Sequence, residues 1–223
     1  MKRTKLRDRL LPTYTKGEEV FNMVTHIVGG GFSVLALLYL VIYCAIKDSV
    51  WGVVSCSIYG ASLIILYTMS SVYHGLRCNM GKKVMQILDH CTIYLLIAGT
   101  YTPILLCAIR PQNPLIAWTV FGIEWGLTAL AATLTAIDLK KYSKFSFVCY
   151  IGIGWCIIFA LKATIKALTM GGFLWILGGG IAYTVGTIFY GVGRKTKYMH
   201  SIFHIFVVLG SILQFIGIAG YVV

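Results

Sequence analysis

The sequence predicts an all-α, polytopic membrane protein, built as a bundle of seven transmembrane helices with its N-terminus inside and its C-terminus outside. Three observations lead to this fold class: an apolar composition, seven long apolar segments and an uneven distribution of positive charge. Of the 223 residues, 58% are hydrophobic and only 12% are charged, and the mean hydropathy is +0.83. Soluble domains are usually about half apolar and about one quarter charged. The composition therefore excludes an ordinary cytosolic enzyme, a disordered chain and a nucleic-acid-binding protein.

Seven apolar segments, separated by short connections that carry charge, are each long enough to cross a hydrocarbon core that needs about 20 helical residues. Because the connections are short, we expect consecutive helices to run up and down. We expect a cytoplasmic basic arm, residues 1–19, followed by one transmembrane domain, residues 20–223. The predicted spans are 20–46, 51–73, 84–109, 114–137, 145–168, 173–193 and 199–222.

Positive charge is concentrated on alternate connections, and this distribution predicts the orientation. The net charge is +12, and 15 of the 19 lysines and arginines fall in the N-terminal arm and in the connections after spans 2, 4 and 6. Connections rich in lysine and arginine stay in the cytoplasm. The first set is Lys2, Arg3, Lys5, Arg7, Arg9, Lys16, Arg77, Lys82, Lys83, Lys140, Lys141, Lys144, Arg194, Lys195 and Lys197. The opposite set is Lys47, Arg110, Lys162 and Lys166.

All five histidines lie near the predicted cytoplasmic ends of their spans. At a rise of about 1.5 Å per residue, none lies more than roughly 10 Å below that interface. Ionisable side chains inside a membrane span are costly and are therefore candidates for function. The five are His26, His74, His90, His200 and His204.

The pair His200 and His204 is the sharpest local signal, because residues i and i+4 share one helical face and two imidazoles there can bind one metal ion. His74 offers a third nitrogen at the same depth. Three protein ligands with an open fourth position are typical of a catalytic zinc site, although copper, iron and nickel also accept imidazole. The alternative is a set of interfacial histidines that hydrogen-bond to backbone carbonyls or lipid headgroups.

Two further residues are candidates for catalysis. Ser70 lies one turn deeper than His74 on the same helical face, so its hydroxyl is placed to contact a substrate oxygen. Asp89 lies about one turn into the third span and is placed to orient or deprotonate a water molecule. Asp89 and the adjacent His90 point about 100° apart, so we expect Asp89 to be functional and His90 to be structural. The alternative for Ser70 is a hydrogen bond to its own helix.

Two other groups of polar residues have open roles. Glu19, Asn22 and His26 share one face at the start of the first span, where they close the site from the side, tether the arm, or serve only as a capped and hydrogen-bonded helix start. Glu124 lies in the middle of the fourth span, far from the proposed metal. We expect it to form an interhelical hydrogen bond, with a role in a proton pathway as the alternative.

Four ordered motifs resemble those of the hemolysin III family, within the progestin and adipoQ receptor superfamily. The motifs are Glu19-x-x-Asn22-x-x-Thr25-His26, Ser70-Ser71-Val72-Tyr73-His74, the run from Asp89-His90 to Thr102-Pro103, and His200-Ser201-Ile202-Phe203-His204. The resemblance covers essentially the whole chain. It implies seven helices with an inside N-terminus, and zinc held by His74, His200 and His204 with Asp89 and Ser70 beside it. A more distant similarity to alkaline ceramidases implies hydrolysis of lipid amides.

These features favour a zinc-dependent intramembrane hydrolase of lipid amide or ester bonds, in which Asp89 acts as base or water orienter and Ser70 as a donor to the developing oxyanion. Membrane lipids are then the expected partners, and nucleic acid is not expected. The alternatives are a non-enzymatic sensor or receptor with structural zinc, a protein associated with cytolysis, and a proton-linked transporter that uses Glu124.

Overall fold

The computed structural model describes residues 4–192 and 196–223, and within these ranges the regular structure is entirely helical. The main helices are α1 (Lys16–Ile46), α2 (Val50–Gly75), α3 (Met80–Pro103), α4 (Pro114–Ile137), α5 (Ser143–Gly154), α6 (Leu161–Val192) and α7 (Met199–Tyr221). Shorter segments are a 3₁₀ turn (Leu6–Asp8), a π-helical continuation of α3 (Ile104–Ile109) and a 3₁₀ segment (Cys156–Ala160). Of the positive residues used to predict orientation, Lys2, Arg3, Arg194 and Lys195 lie outside the described ranges.

Polar caps fix where four of the helices begin. At the start of α1, the Glu18 N–H donates to Thr15 Oγ1 at 3.2 Å and the Thr15 N–H donates to Glu18 Oε2 at 2.9 Å. This reciprocal pair satisfies two backbone donors that a helix start leaves free. The side chains of Ser49, Asn79 and Asn113 each accept from the backbone N–H three residues further on, at the starts of α2, α3 and α4.

Six helices within the described part of the chain are long and apolar enough to cross a membrane. They are Lys16–Ile46, Val50–Gly75, Met80–Ile109, Pro114–Ile137, Ser143–Gly191 and Met199–Tyr221. The fifth has 49 residues, about twice what one crossing requires. It contains the predicted span 145–168 and residues 173–191 of the predicted span 173–193, whose last residue lies outside the described ranges.

The long fifth segment folds back on itself. The indole N–H of Trp155 donates to Thr184 Oγ1 at 3.0 Å, although a straight helix would hold residues so far apart in sequence roughly 44 Å apart. The reversal occurs at Thr169, whose φ of 59° and ψ of 172° are not helical. The segment therefore consists of two legs that lie side by side, α5 with the first turns of α6, and the remainder of α6.

One end of the bundle gathers the N-terminal arm and the connections predicted to be cytoplasmic. The joining contacts are Thr4 N–H to Asp138 Oδ2 (2.7 Å), Lys83 Nζ to the Arg7 carbonyl, and Tyr198 N–H to Glu18 Oε1 (2.7 Å). Burial disfavours the charged form of Asp138, but the N–H groups of Thr4 and Lys141 outweigh it and lower the pKa of this carboxyl. The arm is thus tied to the other connections at this end; its assignment to the cytoplasmic side stays a prediction.

The helices approach closely just below this end. A Cβ atom on Gly29 would lie 2.6 Å from the ring of Tyr67, so the glycine allows α1 to pack directly on α2. The Tyr67 hydroxyl in turn lies 2.7 Å from Ser211 Oγ on α7. Small residues and hydroxyl contacts of this kind hold membrane helices together where no hydrophobic driving force exists between them. The packing brings α1, α2 and α7 together about two turns below His74 and His204.

Candidate metal centre

Three buried imidazoles converge where α2 ends and α7 begins. His74 lies in the last turn of α2, and His200 and His204 lie on one face of the first turns of α7. Their side chains are almost fully buried, and the three potential ligand atoms lie within 4.8 Å of one another. His200 Nε2 is 3.4 Å from His74 Nε2 and 3.2 Å from His204 Nε2.

The remaining ring nitrogens determine which atoms face the centre. His74 Nδ1 lies 2.7 Å from Glu19 Oε2, and His204 Nδ1 lies 3.2 Å from the Asn22 carbonyl. Both partners are acceptors, so each Nδ1 carries the proton and each Nε2 presents a lone pair. A single proton on His200 Nε2 can bridge to only one of these two lone pairs. A cation at the centre would satisfy all three nitrogens, so this donor set fits a metal ion bound through imidazole.

Glu19 has a second partner that was not expected from the sequence. The Lys82 ammonium group donates to Glu19 Oε1 at 2.6 Å and to the Leu76 carbonyl at 3.0 Å, and its nitrogen lies 5.1 Å from the centre of the Tyr73 ring. Lys82 is only 4% exposed. The carboxylate of Glu19 therefore joins a buried cation to a histidine of the candidate centre, an arrangement that resembles the carboxylate–histidine–metal contacts of zinc proteins.

The predicted face of Glu19, Asn22 and His26 lies against the histidines. The His26 ring stacks on His204 with centroids 3.7 Å apart, and its edge meets Tyr67. Neither ring nitrogen of His26 and neither polar atom of the Asn22 side chain has a hydrogen-bond partner among the described residues. Buried polar groups usually have hydrogen-bond partners. The polar atoms of His26 and Asn22 are therefore available to a further group at this side of the site.

Ser70 and Asp89 line one cavity together with His200 and His204. Ser70 Oγ is buried and has no partner within the described residues, so it does not form the bond to its own helix that was weighed as the alternative. The side chain of Asp89 is 13% exposed, and its Oδ2 lies 3.6 Å from His90 Nδ1. The structure therefore brings both residues to the histidine cluster, while their roles in catalysis stay predictions.

The cavity leads from the histidines into the bundle. It has a volume of about 110 Å³, room for several water molecules. Its lining extends along α7 from His200 to Gln214, roughly 21 Å at 1.5 Å per residue. Most of the side chains between these limits are aliphatic or aromatic, including Leu96, Ile97 and Val207. The site thus joins a polar end to a long apolar chamber.

His90 lies beside the three histidines without belonging to the metal-facing group. Its Nδ1 is 2.8 Å from the Gln86 carbonyl and its Nε2 is 3.1 Å from the Tyr190 hydroxyl. Its carbonyl accepts a hydrogen bond from the Tyr150 hydroxyl at 2.9 Å. Both ring nitrogens of His90 thus have partners outside the cluster, and its structural role stays a prediction.

Two residues at the site were missed. Tyr14 stacks on His200 with ring centroids 5.0 Å apart, and burial raises the pKa of its phenol. The signal for Tyr14 is the capping box that begins at Thr15, since it fixes the helix start and the position of the preceding residue. The signal for Lys82 is its spacing of seven residues from Asp89, which places both on one face of α3.

Glu124 is fully buried on α4, and the thiol of Cys156, in the segment before α6, lies beside its carboxyl group. The interhelical hydrogen bond expected for Glu124 stays a prediction. The residue is not among those that line the cavity at the histidines. It therefore lies apart from the candidate metal centre, as the sequence predicts.

Comparison with known proteins agrees with the motifs. The family model described as "Haemolysin-III related" matches residues 14–215. "Hemolysin-3" of Bacillus cereus is 40% identical over 205 residues, which cover 92% of each chain. The "Hemolysin-3 homolog" of Bacillus subtilis is 37% identical over 210 residues, covering 94% of this chain and 97% of the relative.

A more distant similarity reaches animal proteins. "Monocyte to macrophage differentiation factor" of Homo sapiens is 26% identical over 183 residues, which cover 79% of this chain and 74% of the relative. The matched region of the family model contains every residue of the histidine cluster as well as Ser70 and Asp89. With its apolar helices and this match over most of its length, the chain is a membrane protein that belongs to the haemolysin-III family.

Proposed function

We propose that this protein is a zinc-dependent intramembrane hydrolase of lipid amide or ester bonds. The observation that carries the proposal is the convergence of His74, His200 and His204, the last two of which line an apolar cavity together with Ser70 and Asp89. Three histidines with an open fourth position are typical of catalytic rather than structural zinc. The apolar chamber suits the hydrocarbon part of a lipid, whose polar linkage would then lie at the histidines.

Each polar residue has a distinct task in such a reaction. Zinc, when bound, supplies polarisation of the acyl carbonyl and activation of water. The Asp89 carboxylate accepts a proton from the attacking water and returns it to the amine or alcohol that leaves as the acyl bond breaks. The Ser70 hydroxyl, free of other partners within the described chain, donates to the acyl oxygen as negative charge develops on it. Glu19 holds the Nδ1 proton of His74 and so keeps its Nε2 directed at the centre.

The test is release of fatty acid from ceramide-like and phospholipid substrates by purified protein in detergent. Asp89→Asn should keep its zinc yet lose turnover by about 10²- to 10⁴-fold, because the change preserves size and hydrogen bonding but removes the base. Ser70→Ala should cost about 10²-fold or less, since it removes a single donor. Zinc content is measured on the same samples, so that loss of metal and loss of catalysis are separated.

The sensor hypothesis remains the second candidate, because Tyr14 covers His200 from the side of the N-terminal arm. A metal closed off in this way would serve structure rather than hydrolysis. If wild-type protein and Asp89→Asn are equally inactive on a broad lipid panel, while Asp89→Asn still abolishes the cellular phenotype, the hydrolase proposal is wrong and the sensor proposal replaces it. A role in cytolysis would then be tested separately, by lysis of vesicles.

We further propose that the domain crosses the membrane seven times, with the N-terminus inside and the C-terminus outside. The side-by-side legs on either side of Thr169 and the positive charges of the arm support this topology. Reporter fusions at Lys141 should be cytoplasmic, and fusions after Val223 should be external. A cytoplasmic reporter after Val223 together with a cytoplasmic reporter at Lys141 would indicate six crossings, and an external reporter at Lys141 would reverse the orientation.

A further inference from the structure

A second cavity lies between the N-terminal arm and the rest of the bundle. It has a volume of about 710 Å³ and is bounded by residues 8–15 of the arm, the connection between α4 and α5, and the residues just before α7. Its walls are much more polar than those of the apolar chamber. The two cavities share His90, Tyr190 and His200, so they meet at the metal centre.

Positive charge is in slight excess in the second cavity, which is lined by three cations and two anions. Arg9, Lys140 and Lys197 line it, accompanied by the acidic residues Asp8 and Glu18. The carboxylate of Glu18 is already occupied by donors from Thr15 and Tyr198. Asp8 is directed elsewhere, since its Oδ1 lies 3.6 Å from Arg7 Nε on the exposed surface of the arm. Lys197 lies within electrostatic reach of the Glu18 carboxylate, and Arg9 within reach of Asp138, so the excess of positive charge is small and Arg9 is distinguished by its unused donors.

Arg9 is the unusual member of this set, because it is only 6% exposed. Its Nη2 donates to the Ile137 carbonyl at 3.0 Å, whereas Nε and Nη1 have no hydrogen-bond partner among the described residues. Burying a guanidinium group with two unused donors is costly unless an acceptor is supplied. The planar fork of an arginine side chain matches the oxygens of a phosphate group, to which it donates two parallel hydrogen bonds.

We infer that this cavity binds a phosphate group, held by Arg9 with Lys140 and Lys197 around it. Hydroxyl groups of Thr13, Ser143 and Thr196 line the same cavity and are available as neutral donors. The phosphate is that of an anionic lipid headgroup or a free phosphate ion, which share this chemistry. The inference deepens the proposed function. A phospholipid whose phosphate lies in the second cavity and whose acyl chain lies in the apolar chamber would pass directly by His200. Only the placement of that acyl chain rests on the proposed function.

Binding is tested with purified, zinc-loaded protein in neutral detergent. The probes are inorganic phosphate, a short-chain diether analogue of phosphatidic acid, and the corresponding neutral diether glycerol. Because a diether has no acyl bond, binding is measured independently of hydrolysis. We expect the phosphatidic acid analogue to bind by calorimetry and the neutral diether to bind far more weakly. Inorganic phosphate that binds with equal affinity would identify the free ion as the natural occupant.

Matched charge variants locate the binding site. Arg9→Gln should weaken binding of the phosphatidic acid analogue by about ten-fold or more, as expected for hydrogen bonds to a charged group. Arg7→Gln removes the same charge from an exposed position of the same arm and should change the affinity little. Lys140→Gln should weaken binding by a few-fold, as is typical of an exposed charge. Its neighbour Lys141 does not line the cavity, so Lys141→Gln is the second control.

Each outcome decides the inference. Loss of affinity for the phosphatidic acid analogue in the Arg9 and Lys140 variants alone supports the inference. Equal losses in all four variants would indicate only general attraction to positive charge and would overturn it. Absence of binding by the wild type would also overturn it. If Arg9→Gln fails to fold, judged by loss of zinc, the comparison of Lys140→Gln with Lys141→Gln decides alone. Selective phosphate binding without any release of fatty acid would keep the phosphate site and refute the hydrolase proposal.

Discussion

The two ends of the helical bundle differ in where their charged and polar side chains lie. At the end that holds the histidines, charged and polar side chains from α1, α2, α3 and α7 are buried against one another. At the opposite end, two of the cations lie over aromatic rings: Lys47 Nζ is 5.5 Å from the centre of Tyr43, and the Arg110 guanidinium is 4.0 Å from that of Trp51. Such contacts are typical of residues that anchor a helix at a membrane interface.

This difference shows that, of its two ends, the protein accepts the free-energy cost of burying charged groups only at the histidine end. Burying Glu19, Lys82 and three histidines is costly, and the cost is offset only if each group finds its partner. An aromatic–cation pair at an interface carries no comparable penalty, because the cation keeps contact with water. We therefore expect the histidine end to depend on its metal and the opposite end to be indifferent to it.

The largest effect is expected from removal of a metal-facing histidine. His74→Ala, His200→Ala and His204→Ala should each lose most of about one bound zinc per chain, because two imidazoles leave an incomplete tetrahedron. A metal held by these histidines would join α2 to α7, so its loss should also lower the temperature of thermal unfolding. Metal analysis and thermal unfolding in detergent measure the two effects.

His90→Ala is the matched control for these variants. His90 lies at the same end and lines the same cavity, but its ring nitrogens face Gln86 and Tyr190. This variant should keep its zinc. Full zinc in all three of the other histidine variants, or loss of zinc in His90→Ala alone, would show that the metal ligands are wrongly assigned.

Much of the fold was predictable because membrane-spanning helices can be recognised from their hydropathy. A span needs about 20 apolar residues, and its backbone satisfies its own hydrogen bonds, so segment boundaries follow from hydropathy. The reversal at Thr169 falls in the short gap between the predicted spans 145–168 and 173–193. The backbone conformation there was not predictable, because nothing local marks a positive φ at a threonine. The start of α1 at Lys16 depends on the Thr15 capping box, which hydropathy does not register.

The candidate site was predictable where residue spacing on one helix carries the information. His200 and His204 share a face by their spacing, and Ser70 shares one with His74. Contacts between distant segments were not predictable in this way: no spacing relates Tyr14 to His200 or Arg9 to the Ile137 carbonyl. These contacts arise from how the N-terminal arm crosses the end of the bundle, which is a matter of tertiary packing.

An intermediate effect is expected from Glu19→Gln. Glutamine can still accept a hydrogen bond from His74 Nδ1. It lacks the negative charge of Glu19, which pairs with Lys82 and increases the basicity of the His74 imidazole. Zinc affinity should fall by about 10- to 100-fold, the usual cost of changing such a partner. Competition with a chelator of known affinity measures this. Glu18→Gln is the control: it changes the adjacent carboxylate, whose partners are Thr15 and Tyr198 and not a histidine, so equal losses would refute the role of Glu19.

The smallest effect is expected at the opposite end, where Arg110→Gln removes the cation over Trp51. The Arg110 Nε–H also donates to the Leu106 carbonyl at 2.9 Å, a contact that glutamine can partly replace. Loss of the cation–π contact should lower stability by about 0.5–1 kcal/mol, seen as a small shift in thermal unfolding. Zinc affinity should not change, because no part of this contact reaches the histidines. A loss of zinc affinity as large as that of Glu19→Gln would show that the two ends are coupled through the helices, and the independence of the metal centre would have to be abandoned.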